Sequence, residues 1–438
     1  MKKKVLIIAN LFHASPRIPA ISKYLSDFDW EPTIVTTPIK DDFKNLLAFP
    51  DDFKNKVRII EVGYKGDIFW FWRKIFKIFG FKSNKSILNQ TKEKINIFSK
   101  KSFLDYILKF YLTLFAYPDS EKNWKKPALK VLDDLFKKEK FDAVISSSSP
   151  VTTHIIASKL KEKYNFLWLA DFRDLWTQNH NYSYFWFRKF FEKRLELKTL
   201  KLADTLISIS DPLTEKLKSF HKNKKTYTIT NGFDPEKVNY PSNLVTKKFT
   251  ITYTGQIYSN KQNPLIFLIA LKSLISEKII NPIDIEVRFY GPEMVWLDKK
   301  IKDYELSDIV KQYGKVKREI SLEKQRESQI LLFLKWEDEK QTGVYTGKIF
   351  EYLSSRRPIL STGGVKDVVS NLLKETNAGI DALDISQIKE SFKNLYLEYK
   401  EKGEIEYKGD LEKINKYNYK KIAERFSILF EDGGMDNV

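Results

Sequence analysis

Short apolar runs of β-forming residues alternate with longer amphipathic stretches along this chain, and the alternation pauses once and restarts. In the first half the runs are Val5–Ala9, Thr33–Thr36, Val57–Val62, Ala143–Ser146, Leu167–Ala170, Thr205–Ser208 and Thr226–Thr230. Strands separated by helices build βαβ units, and repeated units build a parallel sheet covered by helices on both faces. The pattern pauses near Pro241-Ser242-Asn243 and resumes with Phe249-Thr250-Ile251-Thr252-Tyr253-Thr254-Gly255, followed by Ile285–Tyr290, Ile330–Leu334 and Ile359–Ser361. A length of 438 residues is too great for one ordinary core. Two doubly wound α/β halves are therefore expected, joined near 241–248. Ligands in such sheets sit beyond the carboxyl ends of the strands. With two facing halves, the sequence predicts an active site in the cleft between them.

Composition narrows the function. A hydrophobic fraction of 42% with 14% aromatics suits a globular chain. The absence of cysteine excludes disulfides, thiolate catalysis and Cys-ligated metals, and it fits a reducing cytosol. His13, His154, His180 and His221 have no metal-ligand spacing. No run of eighteen apolar residues spans a membrane, and the opening MKKKVLIIANLF reads as a first strand because its apolar core is short and no cleavage site follows. The segment after that strand, Asn10 to Arg17, contains no glycine, which argues against a nicotinamide or flavin site, and no Walker-type loop occurs. A net charge of +19 suits nucleic acid, an anionic membrane or a negatively charged substrate, although Lys, Asn and Ile are abundant throughout. No RNP-like or zinc-finger pattern supports nucleic acid.

The segment GVYTGKIFEYLSSRRPILS, Gly343 to Ser361, carries the most chemistry. It reads as a loop (Gly343, Val344, Tyr345), a helix opening at Thr346 or Gly347, and a strand. Thr346 is a candidate N-cap, and Gly343 and Gly347 permit close approach of the backbone to a ligand. Free N–H groups at a helix start attract phosphate. Lys348 in the first turn and Glu351 one turn deeper share a face, placing a cation at a diphosphate and a carboxylate at ribose hydroxyls. A core helix with an incidental Lys and Glu fits the same letters. A second cluster, Asp171-Phe172-Arg173-Asp174-Leu175-Trp176, follows a strand. Its carboxylates suit sugar hydroxyls or an acceptor proton, and Arg173 suits a phosphate; an internal salt bridge closing a loop fits equally.

The first of these segments resembles the nucleotide-sugar signature of retaining family 4 glycosyltransferases of the GT-B fold, with two facing Rossmann-like domains. Glu351 and Arg357-Pro358-Ile359-Leu360 match that signature, whereas Gly343 stands where the family has its first glutamate. Lys348 to Leu353 and the Asp171–Trp176 cluster resemble a polysaccharide-biosynthesis branch, with Leu175 in place of a proline. In that branch the hydroxyl-rich loop Ser147-Ser148-Ser149-Pro150 lines the cleft. Thr254-Gly255-Gln256 resembles the family's Gly-Arg diphosphate loop, with Gln256 replacing the arginine and Lys261 able to supply charge. Gly314-Lys315-Val316 sits where the family grips the nucleobase, and Arg17 matches an arginine near the diphosphate. Pro118-Asp119 with Trp124 matches a further branch segment of underived function. Asn231-Gly232 matches the family's Asn-Gly-hydrophobic-Asp, where a turn is the expected role.

The resemblance implies a retaining transfer of a sugar from a nucleotide diphosphate, UDP foremost, to a glycan or lipid-linked glycan in cell-surface polysaccharide biosynthesis. The catalytic set is then Asp171, Arg173 and Asp174. The donor set is Arg17, Gly255, Lys261, Val316, Gly343, Val344, Tyr345, Thr346, Gly347, Lys348 and Glu351. No metal and no cofactor are expected. The domains implied are 1–243 for the acceptor, 244–415 for the nucleotide sugar, and 416–438 as a helix packing back on the first. Within the first, residues 68–117 form a basic aromatic segment. There Arg73, Lys74 and Lys77 face away from Trp72, Phe76 and Phe79, which predicts a peripheral site on an anionic membrane at its cytoplasmic face; helices packed inside the first domain fit the same letters. The alternatives are a non-catalytic membrane-attached assembly protein, favoured by Gly343 and Gln256, and a sugar-nucleotide epimerase.

Overall fold

In the computed structural model the described residues are 2–11, 16–39, 53–65, 110–182, 184–238, 245–258 and 261–432. The chain divides into two compact units, one of residues 1–209, 213–229 and 423–438, the other of 210–212 and 230–422.

Among its described residues the first unit holds seven strands, β1 (Lys3–Ala9), β2 (Trp30–Thr36), β3 (Arg58–Glu61), β4 (Ala143–Ser148), β5 (Leu167–Phe172), β6 (Thr205–Ser208) and β7 (Lys225–Thr228). They pair in parallel in the order β3-β2-β1-β4-β5-β6-β7. Val5 to Ala9 are wholly buried, the signature of a central strand covered on both faces. Helices α1 (Arg17–Leu25), α2 (Lys125–Lys138), α3 (Thr152–Lys161), α4 (Trp186–Leu200) and α5 (Asp211–Phe220) supply the covers. Leu6, Ile8, Val144, Trp168, Ile156 and Leu160 are among the residues of the core.

Among its described residues the second unit holds six parallel strands, β8 (Phe249–Thr254), β9 (Ile285–Tyr290), β10 (Val310–Gln312), β11 (Ile330–Leu334), β12 (Ile359–Thr362) and β13 (Gly379–Ala382), in the order β10-β9-β8-β11-β12-β13. Its helices are α6 (Leu265–Ser276), α7 (Val295–Asp303), α8 (Arg318–Arg326), α9 (Gly347–Ser354), α10 (Val368–Thr376) and α11 (Ile385–Lys402). Two apolar clusters flank this sheet, one built around Phe249, Phe267, Phe289 and Phe392, the other around Phe333, Ile349, Tyr352 and Leu372. The last helix, α12 (Tyr419–Asp432), contains the crossing back at Ile422–Ala423. Its Phe430 ring lies 4.5 Å from that of Trp30 within the first unit.

Eleven strands were expected and fall where the apolar runs stand; β10 and β13 were not expected. Both are sheet edges. Val310-Lys311-Gln312 and Gly379-Ile380-Asp381-Ala382 carry too little apolar periodicity to stand out. The boundary expected at 243–244 adjoins residues 239–244, outside the described residues. The basic aromatic segment also lies outside them up to residue 109; residues 110–115 are helical.

Candidate functional site

In the second sheet the strand order reverses between β8 and β11, and open α/β sheets hold ligands at such a switch point. The loop after β11 leads into α9 there. Thr346 takes the N-cap position with an extended backbone, φ −84° and ψ 144°. Its hydroxyl makes no cap hydrogen bond, however, and is buried without a partner. The N–H groups of the first turn at Gly347 and Lys348 have no helical acceptor by construction. Gly347 is exposed, with open space where a Cβ would stand.

Strand β8 and helix α9 are pinned together at this end. The Thr254 N–H donates to Tyr352 Oη at 3.0 Å, and Gln325 Nε2 of α8 donates to Thr254 Oγ1 at 2.9 Å. Gly255 follows at φ +107°, a region that L side chains rarely adopt. A Cβ there would lie 3.0 Å from Lys348 Cε and 3.2 Å from Nζ, so Gly255 leaves the space the lysine occupies.

The Lys348 ammonium stands 3.7 Å from the centroid of the Tyr253 ring. Among the described residues no hydrogen bond or ion pair reaches it. Burial pushes its pKa down to about 7, against an opposing pull from Glu351. A cation held on an aromatic face beside a helix start, with no acceptor among the described residues, has the chemistry to receive an anion. Glu351 Oε1 is 2.7 Å from Arg318 Nη2, both side chains being half-exposed. Arg318 is the group that sequence reasoning missed. It stands in a basic run, Lys315, Lys317 and Arg318, directly after the expected nucleobase loop, and that run was the available signal.

The remaining donor candidates stand on loops of the second unit. Gly343 is buried and its carbonyl accepts from Ser210 Oγ. The Val344 N–H donates to Gln341 O at 3.0 Å, and the Tyr345 ring packs edge-on to Phe350 at 5.4 Å. Gly314 turns the chain after β10 at φ +71°, and Val316 is half-buried two residues on. The Lys261 ammonium lies 5.3 Å from the Trp336 ring centroid.

In the first unit β5 runs two residues further than its apolar run suggests, to Phe172, so Asp171 lies within the strand rather than beyond it. The structure joins Arg17 and Asp171 as a wholly buried pair, with Arg17 Nη2 2.9 Å from Asp171 Oδ1. Ser147 Oγ donates to Asp171 Oδ2 at 2.8 Å. The internal salt bridge weighed for the cluster thus exists, but with Arg17 as its cation. A carboxylate without access to water requires such a partner. Arg173 donates to the carbonyls of Ser148 and Ser149 at 2.7 Å each, fastening the hydroxyl-rich loop to the end of β5. Its pKa is lowered by burial, with Asp171 and Asp174 opposing. Asp174 alone of the cluster's charged groups is exposed, and no hydrogen bond or ion pair among the described residues engages it.

The Pro118-Asp119 segment acquires a structural reason. Asp119 accepts from the Thr152 N–H at 2.7 Å and the Thr152 hydroxyl at 2.8 Å, at the first residue of α3. Burial raises its pKa and the Thr152 bonds oppose that. Among the described residues no group of three His, Asp or Glu side chains is arranged to hold a metal.

The model of Glycosyltransferase Family 4 matches residues 106–237. Sucrose-phosphate synthase from Thermosynechococcus elongatus superimposes at a TM-score of 0.59, with 12% identity over 98% of each chain. A glycosyltransferase from Rickettsia africae ESF-5 gives 0.59 at 14% identity over 100% of each. Anabaena Alr3699/HepE, solved with UDP, gives 0.63 at 10% identity over 97% of this chain and 98% of that one. No curated protein sequence matches the chain. The two parallel-sheet units and these superpositions define the class: the chain has the GT-B fold, with two Rossmann-like domains. Within that fold, residues 106–237 carry the pattern of Glycosyltransferase Family 4.

Proposed function

We propose that the protein is a retaining glycosyltransferase that moves a sugar from a nucleotide diphosphate, UDP foremost, to a glycan or lipid-linked glycan. The observation that carries this reading is Lys348, an ammonium with no acceptor among the described residues, held over Tyr253 beside Gly255 at the start of α9. A diphosphate supplies the missing acceptor and receives the first-turn N–H groups. As the sugar–phosphate bond breaks, negative charge grows on the leaving diphosphate, and a fixed cation there is the largest kind of catalytic term. Glu351, steadied by Arg318, accepts the ribose hydroxyls. In the first unit Asp174 has the exposed carboxylate suited to orienting sugar or acceptor hydroxyls, while Arg17 and Asp171 hold the end of β5 in shape. Anabaena HepE, of the same fold, binds UDP in its solved structure, which supports the choice of base.

The finer reading includes polysaccharide biosynthesis, a cytoplasmic setting and donor chemistry without a metal. It also includes Gly255, Lys261, Val316, Gly343, Val344, Tyr345, Thr346 and Gly347 as the donor's surroundings. The test is incubation with UDP-, GDP- and ADP-sugars, followed by NMR of the products. A transferase releases free sugar slowly and with retained anomeric configuration, and it does so faster with acceptor present. An isomerised donor would make the protein an epimerase. Intact donor throughout would make it a non-catalytic assembly protein, the outcome that the missing carboxylate at Gly343 favours.

A further inference from the structure

Helix α4 (Trp186–Leu200) is turned inside out. Its charged residues Arg188, Glu192 and Glu196, spaced four apart, are buried. Its exposed side chains include Trp186 at 81%, Phe190 at 48% and Phe191 at 55%, together with Leu197. An amphipathic surface helix of a soluble domain has the opposite pattern.

The buried charges are not left unpaired. Arg188 Nε donates to Glu192 Oε1 at 2.6 Å. Its two terminal nitrogens donate to the carbonyls of Leu112, Thr113, Ala116 and Pro118 at 2.6–3.2 Å. Glu196 accepts from the N–H and hydroxyl of Thr177 and pairs with His221 Nε2 at 3.3 Å. This network holds α4 in its inverted rotation. It also ties the helix to the described helical residues 110–115, on which Phe110, Leu114 and Phe115 are exposed, and the Phe110 and Phe185 rings meet edge-on at 6.4 Å. Two helices thus present aromatic side chains from a rigid base.

The charge on this surface has one sign. Lys193, Arg194 and Lys198 are exposed and Lys189 is half-exposed, whereas both glutamates of α4 face inward. The Arg194 guanidinium lies 3.8 Å from the centroid of the exposed Phe190 ring, so cation and ring are assembled before any partner arrives.

We propose that the outward face of α4, with the neighbouring 110–115 helix, docks on an anionic lipid bilayer. Trp and Phe rings seat at the boundary of headgroup and acyl chain while Lys and Arg beside them meet lipid phosphates. Turning both glutamates inward removes the repulsion that such a surface would meet. The surface consists of α4 and residues 110–115, and its docking does not depend on transferase activity.

The test is co-sedimentation of the full-length protein with phosphatidylcholine vesicles, with and without 30% phosphatidylglycerol, at low and high salt. Wild type should pellet with the anionic vesicles at low salt and be released as salt rises. The doubly substituted W186S/F190S protein should bind at least tenfold more weakly, and so should K193E/R194E. These positions are exposed, so circular dichroism melting should show no loss of fold. As a comparison, R73E/K74E/K77E alters the other basic segment. Release by that variant alone, with both α4 variants bound as wild type, overturns the assignment. Absence of wild-type binding to anionic vesicles at low salt also overturns it, as does a solution dimer that W186S/F190S dissolves.

Discussion

With Lys348 as the proposed receptor of the diphosphate, the affinity of the protein for UDP should fall steeply between pH 7 and pH 9, because that lysine is poised near neutrality. Burial against Tyr253 and Gly255 brings Lys348 down to about 7 in the ligand-free protein. A diphosphate beside the ammonium restores a value near the ordinary one, about 10.4. Only the protonated lysine binds well, so above pH 7 each binding event must take up a proton. Half of the lysine is charged at pH 7 and about one part in a hundred at pH 9. Affinity therefore drops about fiftyfold, or about 2.4 kcal/mol at about 1.4 kcal/mol per tenfold. The phosphate's own proton is lost near pH 6, below this window. The sign is the reverse for folding without ligand. A lysine depressed in the native state binds fewer protons than the unfolded chain between about 7 and 10.4, so its contribution to stability rises with pH across that range. Calorimetry with UDP at pH 7, 8 and 9, in two buffers of different ionisation enthalpy, measures both affinity and proton uptake. Lys348→Met should bind UDP weakly and without this pH dependence, and its ligand-free melting temperature at pH 7 should not fall. A flat wild-type affinity from pH 7 to 9, or binding without proton uptake, refutes the reasoning.

Three further outcomes follow from named contacts. Glu351→Ala should weaken UDP binding by about 1.5–3 kcal/mol, the range for a charge-assisted hydrogen bond, with the melting curve intact; unchanged calorimetric affinity would show that Arg318 is its only partner. Asp174→Asn should cut sugar transfer while UDP affinity stays within a few fold, because Asp174 belongs to the first unit and the nucleotide groups to the second; normal turnover would remove it from the acceptor side. Arg17→Met strands the wholly buried Asp171 carboxylate and should destabilise the first unit by about 3–5 kcal/mol; a denaturant midpoint like that of wild type would mean that Asp171 finds another counter-charge.

What could be read from the letters was whatever depends on short range. The apolar runs of β1 and β11 announce themselves because a strand covered on both faces must be apolar nearly throughout. The start of α9 was legible because Thr346-Gly347-Lys348 is a local pattern, and Lys348 with Glu351 is fixed by helical spacing alone. The edge strands β10 and β13 were not legible, since a strand with one neighbour needs little apolar character. Nor was the silence of the Thr346 hydroxyl, which depends on a side-chain rotation that no spacing encodes.

The sequence by itself determined two doubly wound halves, the start of α9 and the charged cluster at the end of β5, since each follows from periodicity or adjacency. Only the tertiary structure decided the partners. Arg17 and Asp171, 154 positions apart, are drawn together because neither charge survives burial without the other. Arg318 meets Glu351 because α8 and α9 both begin beyond strands of one sheet. The rotation of α4 was settled the same way. Its letters favour burying Trp186 and Phe190, yet the carbonyls at Leu112–Pro118 and the loop at Thr177 give Arg188, Glu192 and Glu196 partners inside. Paired and hydrogen-bonded, these ions stay buried, and the aromatic rings are left facing outward.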